Sequence, residues 1–160
     1  MINGDSPCDD KTITPLAPGT DGGLLTGSYQ RQPSKPFDGA GNAVSERLTK
    51  PQRWFAVTFA LATNERDPQT GATVAAPRID VSAGKLSGDL SAFAAAWNGQ
   101  HFNQGSPKPG GDRPGTTSGP VGYHDPDTGA YTLEWSSQIV GGPFNNFTGM
   151  WHLEGTFEPR

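Results

Sequence analysis

Three tryptophans with neighbouring amides are the clearest candidates for ligand binding in this sequence. Trp97, Trp135 and Trp151 supply flat rings of the kind that stack on sugar faces, and the asparagine and glutamine side chains near them can bond hydroxyl groups. The candidate ligand-binding residues are therefore Trp97, Asn98, His101, Asn103, Trp135 and Trp151. The composition nevertheless favours these tryptophans as core residues, because leucine, isoleucine and valine are few.

A second set of residues has the types that acid–base or metal chemistry requires. His152 and Glu154 share one face of a predicted strand, and Glu134 lies on another strand that can pair with it. Such a group can bind a metal or transfer protons, and Glu134 with Glu154 is the best carboxylate pair for glycoside hydrolysis. The simpler expectation is a solvated strand face, since one face of an antiparallel sheet often points to water.

The other chemical motifs are incomplete. Asp125, Asp127 and Gly129 match the start of a calcium loop, but Ser136 stands where the bidentate glutamate is required. The sequence has no G-x-S-x-G motif and no phosphate-binding loop, and its single cysteine allows no internal disulfide. We therefore predict no catalytic residue, no metal and no cofactor, and the sequence favours a role other than that of an enzyme.

Alternating apolar residues predict the short β-strands that position these side chains. The clearest strand spans residues 53–63, where neither face is strongly polar, so we expect a central strand covered on both sides. In the next strand, Pro77 indicates a sheet edge or a bulge. The further predicted strands cover residues 24–30, 73–82, 131–137 and 149–157.

One turn motif occurs twice, as Asp67-Pro68-Gln69-Thr70-Gly71 and as Asp125-Pro126-Asp127-Thr128-Gly129. Aspartate caps such a turn, proline presets the next φ, and glycine takes the left-handed position that closes it. Two copies of this hairpin signal predict antiparallel β structure, with a positive φ at Gly71 and at Gly129.

Three segments carry weaker signals. Residues 86–98 fit either a helix capped by Asp89 or a strand that ends at Asn98-Gly99, and their glycine-rich flanks favour the strand. Residues 31–50 and 99–122 are predicted to be long loops, and a loop as long as the second is usually functional or mobile. The expected fold class is all-β, as an antiparallel β-sandwich or a small β-barrel with long Gly/Pro-rich loops.

Residues 1–21 are predicted to form an extended N-terminal arm, followed by a single β domain over residues 22–160. Pro15 and Pro18 forbid a helix in the arm. Ordering its backbone requires many hydrogen bonds, which a strand added to a sheet edge supplies. We therefore expect residues 11–16 to pair as a β-strand, either with their own domain or with a neighbouring subunit.

Composition limits the classes of function. Hydrophobic residues make up only 32% of the 160 residues, which include 22 glycines and 15 prolines, so a thin-cored domain with many loops is expected. A net charge of −4 without any Lys/Arg run argues against nucleic acid as a partner. No apolar stretch reaches the about 20 residues of a membrane span. Scarce lysine with abundant Gly, Thr, Ser and Asn is typical of exported proteins, so we expect an extracellular or cell-surface location, with no signal peptide at residues 1–5.

The motifs Trp97-Asn98-Gly99, Thr132-Leu133-Glu134-Trp135, Gly141-Gly142-Pro143-Phe144-Asn145 and Gly149-Met150-Trp151-His152 resemble the C-terminal half of uncharacterised bacterial exported β-domains. Such domains are found in surface proteins with C-terminal sorting tails. The resemblance covers residues 86–158 and implies export, with no known activity. Residues 21–29 are similar to an early hairpin of avidin-type barrels, but the spaced tryptophans of a biotin site do not align with this sequence.

These observations lead to one expected function and two alternatives. The expected function is that of a non-catalytic exported β-domain in surface structure, adhesion or filament assembly, with self-association or a cell-surface partner. The first alternative is a module that binds a glycan or another small ligand through exposed aromatic residues. The second is a small β-barrel enzyme of the cyclase or isomerase type, in which a shaped cavity does most of the work.

Overall fold

Two antiparallel β-sheets make up the structure, a computed structural model that describes residues 2–158. One sheet has the strand order β1-β2-β5-β6 and the other has the order β3-β4-β7-β8-β9. Over the described residues the strands are β1 (Gln52–Trp54), β2 (Val57–Thr63), β3 (Arg78–Ser82), β4 (Lys85–Asp89), β5 (Phe93–Trp97), β6 (Gln100–Asn103), β7 (Val121–His124), β8 (Ala130–Gln138) and β9 (Thr148–Thr156). The sheets do not close into a barrel, so the predicted all-β sandwich is confirmed and the barrel alternative is wrong.

The core lies between the two sheets, because alternate residues of each strand point into the sandwich. Its buried residues come from both sheets and from two loops, and they are Leu48, Leu61, Leu86, Leu90, Phe93, Leu133 and Trp135. The rings of Phe93 and Trp135 meet edge-on across the sandwich, with 5.0 Å between their centroids. Large aromatic side chains thus supply volume where aliphatic residues are few.

Strand β2 is covered on both faces, as its sequence predicts. On the side away from the main core, Ala60 packs with Ala43 and Ala96, and Phe37 from the loop over residues 31–50 packs against them. Small side chains on this face allow the loop to lie directly on the sheet.

The strand predicted over residues 53–63 is instead the hairpin of β1 and β2. Phe55 and Ala56 form its two-residue turn with φ values of 47° and 72°, which glycine, asparagine or aspartate usually adopts in such turns. The expectation of an uninterrupted strand is therefore wrong, because no turn residue marks this position. Asp5 supports the turn from the N-terminal arm by accepting a hydrogen bond from the Ala56 N–H at 3.1 Å.

Both aspartate–proline turns have the predicted glycine conformation. Gly71 and Gly129 have φ values of 71° and 73°, and each donates its N–H to the carbonyl of the aspartate that opens its turn, at 2.8 Å. The turn at Gly129 joins β7 to β8 within one sheet. The turn at Gly71 closes only a short antiparallel pairing, an isolated bridge between Arg66 and Thr73, and the chain then continues to β3 in the other sheet.

Several predicted boundaries shift. Residues 86–97 lie on β4, β5 and the turn between them, and the second strand ends before Asn98-Gly99, as the strand interpretation predicts. The loop predicted over residues 99–122 is shorter, since β6 occupies its start and β7 begins at Val121. The strand predicted over residues 73–82 is confined to β3, which begins directly after Pro77 at a sheet edge. The final two predicted strands agree with β8 and β9.

Residues 24–30 form neither the predicted strand nor an avidin-type hairpin. The Gln30 side chain accepts a hydrogen bond from the Leu25 N–H at 2.9 Å and donates one to the Gly23 carbonyl at 2.7 Å, which folds the segment back on itself. Gln30 is fully buried, and its backbone bonds to Thr63 at the end of β2. A buried polar side chain determines the local structure here.

The N-terminal arm packs on its own domain, but not through the predicted residues. Residues 11–16 form no strand, whereas residues 17–21 pair with residues 46–50 through four backbone hydrogen bonds. Asn3 and Ser6 are almost fully buried, and Asn3 Nδ2 donates to Thr14 Oγ1 at 2.9 Å. Polar groups of the arm thus satisfy one another without the added strand. Among residues 2–158 no helix is long and apolar enough to cross a membrane.

Candidate functional site

A group of polar side chains lies where β6 ends, and Asp67, Asn103, Lys108 and Ser137 are named the Asn103 cluster below. Asp67 and Asn103 are 3% and 2% exposed, and Ser137 is fully buried. The Asp67 carboxylate accepts hydrogen bonds from Asn103 Nδ2 and from the Thr70 N–H. The aspartate that shapes the turn therefore also holds the asparagine at the end of β6.

The Lys108 amino group is enclosed by acceptors. Its Nζ donates to Ser137 Oγ at 2.7 Å, to the Asn103 carbonyl at 2.9 Å and to Asn103 Oδ1 at 3.0 Å. Burial lowers the pKa of Lys108 to about 8, although the nearby Asp67 carboxylate opposes this shift. A substantial fraction of this amine is neutral at mildly alkaline pH, which gives it nucleophilic character.

An open cleft of about 500 Å³ gives solvent access to the Asn103 cluster. Asp67, Asn103 and Lys108 contribute to its lining, together with Gln69 of the turn and Arg113 of the loop. A second cleft of about 310 Å³ shares Gln69 and runs along β6. The Gln69 side-chain amide accepts a hydrogen bond from the Asn103 N–H and donates to the His101 carbonyl, so it covers the free edge of β6.

Trp135 and Trp151, two of the predicted binding residues, are neighbours in the sandwich interior. Their rings stack with 6.1 Å between centroids and 20° between planes, and both contact Phe93. The Trp135 indole N–H donates to the Gln104 carbonyl at 2.8 Å, and that of Trp151 donates to the Gln104 side chain at 3.1 Å. Because Trp135 is 3% exposed, it belongs to the core and offers no ring face to a ligand. Trp151 is half-buried beside it.

The other predicted binding residues are distributed over the ends of β5 and β6. Trp97 is half-buried against Trp54, to whose carbonyl its indole N–H donates at 2.8 Å. Asn98 is exposed in the β5–β6 turn, and His101 is half-buried, so that burial lowers its pKa. Of the six predicted residues, Asn103 lies in the Asn103 cluster, and the structure does not bring the six together in one site.

The outward side of the five-stranded sheet carries an exposed aromatic ring at its centre. Tyr123 lies on β7, the middle strand, and is 68% exposed, while Val121 on the same strand is 60% exposed. Lys85 and Thr132 lie directly beside Tyr123 in the strand register. The name outer face is used below for eleven exposed residues of this side, namely Asp80, Ser82, Lys85, Ser87, Val121, Tyr123, Thr132, Glu134, Met150, His152 and Glu154.

Glu134, His152 and Glu154 meet on the outer face, as the strand pattern predicts. His152 Nδ1 lies 2.8 Å from Glu134 Oε1, and His152 Nε2 lies 3.5 Å from Glu154 Oε2. The hydrogen bond to Glu134 raises the pKa of His152 above its usual value. All three side chains are exposed, and residues 2–158 contain no group of three His, Cys, Asp or Glu residues arranged to hold a metal ion. The arrangement is that of a solvated strand face with paired charges.

The motif at Asp125 serves as a hairpin turn. Asp125 Oδ1 accepts a hydrogen bond from the Asp127 N–H at 2.9 Å, and Asp125 Oδ2 accepts one from Thr128 Oγ1 at 2.8 Å. Both carboxylate oxygens are therefore engaged within the turn, as the hairpin interpretation requires.

Lys108 and Tyr123 are the two residues that sequence reasoning missed. Lys108 lies in a proline-rich stretch without periodicity, and its amino group is held by Ser137, which is distant in the sequence. The turn motif at Asp67 predicts that its carboxylate caps the turn, but it does not predict that one carboxylate oxygen accepts a hydrogen bond from Asn103. Tyr123 lies on a strand of four residues, which is too short for an alternating pattern to stand out.

In comparisons with known proteins, no family model, no curated protein and no solved structure matches this chain. Its candidate functional regions are the Asn103 cluster with the adjoining cleft, and the outer face.

Proposed function

We propose that this protein is a non-catalytic β-sandwich module of the cell surface that acts in adhesion by binding a glycan on its outer face. The observation that carries the proposal is Tyr123, a 68% exposed ring on the middle strand of an open sheet. Val121 extends the apolar surface on the same strand, and adjacent exposed apolar side chains rimmed by polar groups often mark an interaction site.

The surroundings of Tyr123 match the chemistry of a sugar. An aromatic face packs on the C–H surface of a sugar ring, while donors and acceptors around it bond the hydroxyl groups. Lys85 supplies a cationic donor on one side of Tyr123, and Thr132 supplies a hydroxyl on the other. Glu154, opposite Thr132 on the next strand, adds a carboxylate acceptor. Five strands span about 19 Å, which leaves room for an oligosaccharide rather than one sugar unit.

The location at the cell surface is part of the proposal and is supported by composition. Lysine is scarce, and glycine, serine, threonine and asparagine are abundant, as in many exported β-proteins. A polar open sheet that bonds hydroxyl groups suits an extracellular setting, where glycans are displayed.

Titration of the ¹⁵N-labelled protein with a panel of soluble oligosaccharides tests the glycan site. We expect amide signals of β4, β7 and β8 to shift, while those of the four-stranded sheet stay in place. Tyr123→Ala should weaken binding by about twofold to tenfold, because an aromatic contact contributes about 0.5–1.5 kcal/mol.

Phe157→Ala is the matched control, since it removes another exposed aromatic side chain that lies beyond the end of β9. This variant should bind as the wild type does. If no oligosaccharide shifts any signal, or if Tyr123→Ala leaves the affinity unchanged, the glycan proposal is wrong.

A second candidate function is self-association through β9. This strand has nine residues and pairs with β8 on one side only, and a long edge strand is a template for pairing with another chain. Met150 on β9 is 86% exposed. Analytical ultracentrifugation at micromolar concentration should then show dimers or larger species, and Met150→Lys should reduce them. A strict monomer would exclude this candidate.

A further inference from the structure

We infer that the Asn103 cluster forms an intramolecular amide cross-link, in which Lys108 Nζ becomes bonded to Asn103 Cγ and ammonia is released. The cross-link is a self-modification that each chain undergoes once. It is independent of glycan binding, because it involves the Asn103 cluster and none of the residues of the outer face.

The amine and the amide are already in contact. Lys108 Nζ lies 3.0 Å from Asn103 Oδ1, the oxygen on the carbon that is attacked. Nζ is also held by Ser137 Oγ at 2.7 Å and by the Asn103 carbonyl at 2.9 Å. Because Asn103 and Ser137 are buried, the lysine is fixed beside the amide. Two groups held in contact react far faster than the same groups free in solution.

The reaction needs a neutral amine, which has the lone pair that an ammonium group lacks. Burial lowers the pKa of Lys108 to about 8, so the neutral form is accessible under mild conditions. An exposed lysine is almost fully protonated under the same conditions. The environment of Lys108 therefore favours attack on the neighbouring amide.

Both amide atoms of Asn103 have partners that assist the reaction. The Gly105 N–H donates to Asn103 Oδ1 at 3.0 Å, where negative charge develops when the amine adds to the carbonyl carbon. The Asp67 carboxylate accepts a hydrogen bond from Asn103 Nδ2. The group that can carry a proton thus contacts the nitrogen that must leave as ammonia.

The atoms balance without an oxidant, a reductant or a cofactor. Lys108 Nζ forms a bond to Asn103 Cγ, and the bond from Cγ to Nδ2 breaks. One proton moves from Nζ to Nδ2 by way of the Asp67 carboxyl group, so the products are a secondary amide and ammonia. The cleft of about 500 Å³ that these three residues help to line gives ammonia a route to solvent.

Intact-mass spectrometry of the full-length protein tests the cross-link. We expect the wild-type protein to be about 17 Da lighter than its sequence predicts, which is the mass of the ammonia released. Lys108→Arg, Asn103→Ala and Asp67→Asn should each have the full mass of their own sequences. Lys35→Arg is the matched control, because Lys35 is exposed in the loop over residues 31–50, and this variant should retain the mass loss.

Tandem mass spectrometry separates the cross-link from a succinimide at Asn103, which also loses ammonia. In the cross-linked peptide, the ring over residues 103–108 should suppress backbone fragments between these two positions. A succinimide leaves those fragments intact and persists in Lys108→Arg, and this outcome overturns the proposal. Wild-type protein that keeps its full sequence mass after incubation at alkaline pH also overturns it. The wild-type spectra decide the question even if a variant fails to fold.

Discussion

Gly71 closes the turn that positions Asp67, and it does so with a backbone conformation that other residues adopt at a cost. Its φ is 71°, and no atom lies within 4 Å of the position that a Cβ would take. Gly71→Ala therefore adds strain without a clash, and we expect the free energy of unfolding to fall by about 1–2 kcal/mol. Urea denaturation measures this difference.

The matched control for that substitution is Gly39→Ala. Gly39 also has open space around its Cβ position, but its φ lies outside the left-handed range. This variant should be neutral or slightly stabilising, because alanine restricts the unfolded chain. Equal losses of stability at the two glycines would contradict the role assigned to Gly71.

The pKa of His152 should lie above that of an ordinary histidine, and the pKa of His101 should lie below it. The hydrogen bond to Glu134 raises the pKa of His152, and burial lowers the pKa of His101. NMR titration of the ring protons should show this order, with Glu134→Gln lowering the pKa of His152 and leaving that of His101 in place. Indistinguishable pKa values for the two histidines would show that the contacts of His152 with Glu134 do not persist in solution.

The sign of the effect on stability follows from the direction of each shift. The contribution of His152 is fully present below the pKa of an unfolded histidine, and it is lost as the pH rises through the higher folded pKa. Burial of His101 acts in the opposite direction. Because the folded state resists protonation of His101, the free energy of unfolding falls as the pH drops. The His152 contribution should be small, because the pair is exposed and screened by solvent.

Among the larger elements, the N-terminal arm should be an integral part of the fold. Residues 17–21 make four backbone hydrogen bonds with residues 46–50, and Leu16 packs against the core. Deleting residues 2–21 should therefore lower the free energy of unfolding by about 2–6 kcal/mol from the hydrogen bonds alone. Deleting residues 2–14 keeps this pairing and should cost less, as denaturation of the two truncated proteins would show. Equal stability of the full chain and the longer truncation would contradict this account.

The strands differ in how far their sequences could reveal them. β8 and β9 could be predicted, because alternating residues face either the core or solvent along the nine residues of β8 and the first seven of β9. The β1–β2 turn could not, since Phe55 and Ala56 carry no turn signal and the support from Asp5 comes from the arm. The loop at residues 24–30 was also hidden, because it depends on the buried side chain of Gln30. Local sequence patterns thus predict the strands that alternate between core and solvent. They do not predict turns and loops whose structure depends on a polar contact with a residue distant in the sequence.

For the whole molecule, the same distinction applies to the candidate sites. Asn103 was a predicted binding residue, but its contacts with Asp67 and Lys108 depend on how the turn after β2 packs beside β6. The tryptophans were named as candidate binding residues although composition favoured them as core residues, and the burial of Trp135 places that residue in the core. The number of tryptophans shows that large apolar side chains are available. Whether each of them lies in the core or on the surface depends on how the two sheets pack.

Hydrogen exchange on the native monomer should reproduce this organisation of core and loops. The slowest amides should lie in β2, β5 and β8, because each is paired on both sides and carries buried side chains.

The sequence predicts that residues 105–120 are the most mobile part of the chain, and the structure narrows this expectation to residues 109–115. Ser106 is fully buried before that stretch, and the Ser118 N–H donates to the Ser136 carbonyl after it. We therefore expect rapid exchange at the amides of Gly110, Asp112, Arg113 and Gly115 and protection at Ser118, since exposed segments with few apolar contacts open at low cost. Slow exchange throughout residues 109–115 would show that this loop is held by contacts beyond those described.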